Sequence, residues 1–251
     1  MDDEFRWIEK GIFPRNIGTQ KHKKILKELT DQSVLSKYLI NIPYDMVHCD
    51  KLYNSKNILD QSEFNSDLEI SNKKVFGNES PLIMDVGCGH GHFTIEFAER
   101  YPEFNIIGID INYKRILQAL NKLKKKNLPN VRFIVNDILF ISNYLIPEKS
   151  IKKMYFNFPI PAIKEKQFKK SYFIRKLDPF IPLMTENGEF EILTDHYNFF
   201  SFLKDYFKNY HYPITYKTID SSEIPYTYFK QKAVKKGSDK VYLINIVLLE
   251  N

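Results

Sequence analysis

From residue 82 onward, short apolar runs alternate with amphipathic stretches, whereas residues 1–74 show little regular period. The run "LIMDV" (82–86) reads as a buried strand that empties into a glycine-rich turn. A helix over "HFTIEFAERY", a strand "NIIGID" and a helix "YKRILQALNKLKKK" follow. Next come strand "VRFIVND", a short helix and strand "IKKMYFNF". Helix "FKKSYFIRKLDPFIPLM", strand "EFEILTD" and helix "HYNFFSFLKDYFKNY" lead to two last strands, "ITYKTID" and "KVYLINIVLL". Such alternation predicts an α/β fold, a mostly parallel sheet with helices on both faces. The last two strands, with no long helix between them, are expected to pair antiparallel. "ENGEFEIL" reads alternatively as opening with a short hairpin. Upstream, residues 19–40 fit one amphipathic helix, and polar residues 53–74 read as a linker or irregular extension.

Length and composition narrow the class. The 251 residues suit one large α/β domain, or a domain with an extension, and 43% hydrophobic residues suffice for a core. No apolar run is long enough to span a bilayer, and the start "MDDEFRWIEKG" lacks the apolar stretch of a secretory signal. Two cysteines, Cys49 and Cys88, give no disulfide framework and suit a reducing, cytoplasmic setting. The net charge of +6 is unevenly placed: residues 1–80 hold 12 basic and 13 acidic residues, the remainder 25 and 18. That clustering favours a polyanionic partner.

The candidate chemistry begins at "DVGCGHGHF", where Gly87, Gly89 and Gly91 alternate after Asp85. Glycines here permit a tight turn and close approach of backbone to a ligand. The spacing departs from the dinucleotide pattern G-x-G-x-x-G. Asp110 ends the next strand and Asp137 the one after. Three acids at successive strand ends suit a ligand carrying adenosine and positive charge, such as S-adenosylmethionine; a pyrophosphate would require anion-binding groups. The alternative is that Asp110 and Asp137 are helix N-caps. Cys88, His90 and His92 raise a metal reading, but no fourth ligand accompanies them except distant His48 and Cys49, so no metal is expected.

Two lysine-rich stretches follow expected carboxyl-end loops. Residues 152–176 hold eight basic residues against one acid, and Lys230, Lys232, Lys235, Lys236 and Lys240 form the second set. Flanking one mouth of the sheet, they suit a phosphate backbone; singly, they suit a solvated face. The first set follows "YFNFPIPAIK" (155–164), an apolar run that breaks into Pro159 and Pro161.

These residues resemble the bacterial tRNA (guanine-N7-)-methyltransferase family, over roughly residues 75–251. "VFGN" (75–78) resembles the lead-in to its first strand, and "MDVGCGHG" its cofactor motif, with Asp85 in the usual Glu position. "GID" (108–110) and Asp137 match its ribose and adenine acids. "YFNFPIPAIK" stands at its substrate loop, "LTDHYNFF" at its Thr-Asp motif, and "TYFKQKAVKKG" (227–237) at its late Thr-x-Tyr/Phe-Glu motif. The resemblance implies a class I methyltransferase (Rossmann-like) fold: a seven-stranded, mostly parallel sheet with an antiparallel last strand. It also implies S-adenosylmethionine as cofactor, tRNA as partner and methyl transfer to N7 of a guanine.

Carried over residue by residue, Asp85, Gly87, Gly89, Gly91, Asp110 and Asp137 would hold the cofactor. Lys164, Asp195, Thr227 and Lys230 would contact substrate, and Lys166, Lys169 and Lys170 the RNA phosphate. The chain departs from the pattern on the substrate side: Ile160 stands for the loop Asp, Ala162 for its Trp, Lys230 for the late Glu and Ser171 for a basic residue. Guanine N7 has a free lone pair and needs no general base, so catalysis rests on alignment. Asp195 and Asn157 are then the candidate catalytic residues. Other readings are an impaired, tRNA-binding relative of this fold, and a methyltransferase with another substrate. An exocyclic-amine enzyme fits less well, because Phe158 separates Asn157 from Pro159 and no aromatic follows. The expected organisation is an N-terminal extension, 1–74, partly helical, before a methyltransferase domain, 75–251, in a monomer or homodimer.

Overall fold

A computed structural model describes residues 36–40, 69–159, 177–220 and 240–249. Seven strands form one sheet: β1 Leu82–Val86, β2 Asn105–Asp110, β3 Val131–Val135, β4 Ile151–Asn157, β5 Met184–Thr194, β6 Ile214–Asp220 and β7 Lys240–Val247. Their order is β3-β2-β1-β4-β5-β7-β6. β1 to β5 run parallel, and β7 lies antiparallel to both β5 and β6. The chain therefore reverses direction of winding between β1 and β4, where open α/β sheets bind ligands. β6 consequently ends on the same edge as β1 to β5.

The central strands explain their own sequences. β1 and β2 are buried along their whole length, being covered on both faces, which is why they read as continuous apolar runs. β6, at the edge, alternates between half-buried and exposed. Short α1, Asn72–Phe76, precedes β1; α2 is His92–Arg100, α3 Tyr113–Leu123, α4 Ile138–Tyr144 and α5 Tyr197–Tyr206. α3 buries Tyr113, Ile116, Ala119, Leu120 and Leu123, a helical stripe, against β2 and β3. Each large side chain so buried contributes about 2 kcal/mol. The core divides into two layers. Met84, Ile107, Met154, Phe190 and Ile192 meet α4 and α5 on one face. Ile83, Ile106, Phe133 and Tyr155 meet α2 and α3 on the other.

Three expectations change. Residues 177–183 do not continue an α-helix; Asp178–Leu183 is a 3-10 turn containing Pro179 and Pro182, which lack the N–H an α-helix needs. β5 starts directly after it, at Met184. Its register shifts opposite Ile151–Lys153, where Thr185–Gly188 form an irregularity with Asn187 at φ 52°. Ser36–Tyr38 is likewise a 3-10 turn, so a helix does not run to Ile40. Leu39 bridges Phe133 in parallel, and Ile40 N–H donates to the Phe133 carbonyl at 2.9 Å. Part of the N-terminal stretch thus covers the outer edge of β3. Ile70, fully buried, donates to the Leu145 carbonyl.

Candidate active site

The glycine turn joins β1 to α2 and is tied down by its own amides. Gly87 and Cys88 N–H both donate to the Ile109 carbonyl, at 2.8 and 3.0 Å, and Gly91 N–H donates to the Cys88 carbonyl at 3.0 Å. Gly89 N–H donates to Asp110 Oδ2 at 3.0 Å. Gly87, Gly89 and Gly91 all have positive φ, the region L-residues avoid. Gly91 also lies against Ala119 and Phe133, where a Cβ would come within 2.7 and 2.8 Å.

Asp110 is not a helix N-cap. Asn112 caps α3, accepting from Lys114 N–H, while Asp110 Oδ1 accepts from Asn112 N–H at 2.7 Å and Arg115 stands 3.4 Å from Oδ2. Asp137 does cap a helix: it receives Leu139 N–H at 2.9 Å at the start of α4. Burial raises its carboxyl above the usual range, offset by that N–H.

Asp85, at the carboxyl end of β1, is buried. Thr94 of α2 donates its hydroxyl to Asp85 Oδ2 at 2.6 Å, and Asn157 Nδ2 approaches Oδ1 at 3.4 Å. Burial pushes the Asp85 carboxyl up to about 7, with the two donors and nearby Asp110 as smaller influences of opposite sign. Two buried polar atoms at strand ends on this edge have no hydrogen-bond partner among the described residues: Asn157 Oδ1 at β4 and Asn136 Nδ2 after β3. An unpaired buried group is costly, so each invites a ligand atom.

Asn157 lies beside Leu193 in the sheet, so the end of β4 adjoins the Thr194–Asp195 end of β5. Buried Thr194 accepts His196 N–H at 3.1 Å, and His196 Nδ1 accepts Phe199 N–H at the start of α5. These two contacts fix the backbone on either side of Asp195, which is partly exposed. Phe158 turns the chain out of β4 at φ 51°, held by Leu193 and Val241 around its ring and by its N–H on the Leu193 carbonyl.

The histidines of the turn meet a lysine. Lys122 Nζ donates to the His90 carbonyl at 2.7 Å and lies 2.8 Å from His92 Nε2. Partial burial lowers Lys122 to about 8, and burial with the Lys122 charge lowers both imidazoles. Among the described residues no three His, Cys, Asp or Glu side chains cluster as metal ligands.

Lys164, Lys166, Lys169, Lys170, Thr227 and Lys230 lie outside the described residues, as do Ile160 and Ala162. The flanking residues, Pro159, Asp220 and Lys240, all stand on the carboxyl edge that carries Asp85, Asp110 and Asn157. Sequence reasoning missed Thr94, Arg115 and Phe158. Thr94 had one available signal, a hydroxyl on the otherwise apolar buried face of α2.

Residues 79–243 match a family described as "Putative methyltransferase". A tRNA (guanine-N(7)-)-methyltransferase from Streptococcus equi subsp. zooepidemicus is 32% identical over 170 residues, covering 65% of this chain and 80% of that protein. One from Chloroherpeton thalassium is 26% identical over 194 residues, covering 76% and 80%. Among solved structures, a 16S rRNA methyltransferase aligns with TM-score 0.56 and 12% identity over 72% of this chain and 95% of that one. An antibiotic-related methyltransferase aligns with TM-score 0.54 and 17% identity over 72% and 96%. These structures share the fold.

Proposed function

We propose a residue-level mechanism on the premise that this chain belongs to the tRNA (guanine-N(7)-)-methyltransferase family. Its function is methylation of N7 of a guanine in tRNA, with S-adenosylmethionine as methyl donor. The observation that carries the reading is the acidic, amide-poor turn at the β1–β4 switch. The amides of Gly87, Cys88, Gly89 and Gly91 are already committed within the protein and so do not serve a pyrophosphate. Asp85 and Asp110 suit a cation instead, and the orphaned Asn136 and Asn157 atoms offer a donor and an acceptor. The residues present therefore fit S-adenosylmethionine.

When bound, S-adenosylmethionine supplies an electrophilic methyl group on a sulfonium. Asp110, its Oδ1 and Oδ2 oriented by Asn112 and Gly89, would accept the ribose hydroxyls. Asp85 would face the amino-acid end, and Asp137 would lie beside the adenine. Asn157 and Asp195, on adjoining strands, would hold guanine by its polar edge so that its N7 lone pair faces the methyl donor. No residue need remove a proton, because N7 is unprotonated at neutral pH. Lys164, Thr227 and Lys230 would complete the substrate contacts. Lys166, Lys169 and Lys170 would meet phosphate, since both lysine-rich segments leave the sheet at this edge. The unit proposed for this work is residues 75–251, with 1–74 an extension, acting in the cytoplasm as a monomer or homodimer. Among the described residues no helix is long and apolar enough to cross a membrane.

Purified protein, methyl-labelled S-adenosylmethionine and unmodified tRNA test the reading, with 7-methylguanosine as the expected product. Ile160 and Lys230 favour a second reading, an impaired tRNA-binding relative: cofactor and tRNA would bind without transfer. Label on another base or on a small molecule would point to a different substrate.

A further inference from the structure

We propose that Thr94 is a positioning residue, which through its hydroxyl holds the Asp85 carboxylate ionised and oriented for the cationic end of S-adenosylmethionine. The proposal rests on the cofactor reading above and on three elements built around one carboxyl group. Thr94, in the first turn of α2, is fully buried, and its hydroxyl has one proton to donate. A helical Thr commonly returns that proton to a carbonyl one turn earlier. Here it goes to Asp85 Oδ2 at 2.6 Å, a length expected of a bond to a charged oxygen.

β2 makes room for this bond. Gly108 lies beside Asp85 in the sheet, and a Cβ there would come within 2.9 Å of Thr94 Oγ1. β4 supplies the second, longer contact, from Asn157 Nδ2 to Oδ1. Among the described residues the carboxyl group thus has one short-range donor, Thr94.

The surroundings make the hydroxyl matter. β2 presents Asp110, whose charge disfavours ionisation of Asp85, and the turn presents the Cys88 thiol, which senses both carboxylates. α2 and β4 present neutral Thr94 and Asn157. Tyr155, beside Asp85 in the sheet, packs its ring on Phe93 and Phe97, and Lys153 is paired with Glu189 and Glu191. With these groups around it, the Asp85 charge depends on its two hydrogen-bond donors until a cationic ligand arrives.

The test is calorimetric titration of S-adenosylmethionine into wild type, Thr94→Val and Thr94→Ser at several pH values from 6 to 9. Thr94→Val keeps the shape and removes the donor. Its affinity should fall about tenfold at pH 7, the usual worth of one charge-assisted hydrogen bond, and recover most of that loss by pH 9. Thr94→Ser should stay within about twofold of wild type across the range. Should Thr94→Val not fold, Thr94→Ala, compared with Thr94→Ser, must show the same tenfold loss and the same pH shift. Thr94→Val binding like wild type at pH 7 overturns the proposal. So does an equal loss at every pH that Thr94→Ser shares, since that is packing alone. Absence of binding by wild type itself overturns the cofactor reading, a result distinct from either.

Discussion

Gly89 and Asp110 are joined across two strand ends: the Gly89 N–H donates to Asp110 Oδ2 at 3.0 Å. The same carboxylate orders the β2–α3 turn through Asn112 N–H. Asp110 therefore shapes the turn, and on the proposed reading it would also receive the cofactor. Asp110→Ala should destabilise the free protein by about 2 kcal/mol, because two N–H groups lose a charged acceptor. Cofactor affinity should fall at least tenfold. Urea unfolding without ligand and calorimetry with it separate the two effects.

Asp85 gives stability a defined pH dependence. Its folded value, about 7, lies above its unfolded value of 3.8. The folded state holds the proton more tightly, so this group contributes stability that is full below about pH 4 and is lost as pH rises to about 7. The amplitude is on the order of 4 kcal/mol in the free protein. Above pH 7 the contribution is flat. Asp85→Asn should remove this slope, raise the melting temperature at pH 8 and abolish cofactor binding. Melting curves from pH 5 to 9 check it.

Glycine substitutions should separate backbone strain from steric conflict. Gly87→Ala meets only its positive φ, with open space around the added carbon, and should cost about 1–2 kcal/mol. Gly91→Ala adds contact with Ala119 and Phe133 and should cost well over 2 kcal/mol. Urea midpoints compare the pair.

Asp195→Asn should lower kcat/KM for tRNA by about tenfold to a hundredfold while leaving cofactor affinity unchanged. Asn157→Ala should impair both, because Asn157 also contacts Asp85. Steady-state methylation beside cofactor titration distinguishes them.

Reversing charge at Lys232, Lys235 and Lys236 should weaken tRNA binding and flatten its salt dependence, without altering S-adenosylmethionine binding. Filter binding of tRNA across salt concentrations measures both.

The sheet was legible because parallel strands buried on both faces, such as "LIMDV" and "NIIGID", must be continuous apolar runs, and amphipathic stretches must separate them. The 3-10 turn at Asp178–Leu183 was misread because its apolar residues fit a helical period while Pro179 and Pro182 forbid the hydrogen bonding. Asp110 and Asp137 occupy like positions in the sequence, yet only Asp137 caps a helix. Local pattern cannot separate them, because both accept an N–H two residues on, and the contact that distinguishes Asp110, from Gly89 N–H, comes from 21 residues away.

By itself the sequence determined the α/β alternation, the glycine turn, the strand-end acids and a basic C-terminal two-thirds. Each is a local or compositional property, set by side-chain period, glycine's conformational freedom and charge. Tertiary structure decided what those residues do to one another. It brought Thr94 of α2, Gly108 of β2 and Asn157 of β4 around Asp85, and it set Asn157 beside the strand leading to Asp195. Those contacts join elements whose spacing along the chain carries no signal, and burial among them makes Asp85 an unusually weak acid for a carboxyl group.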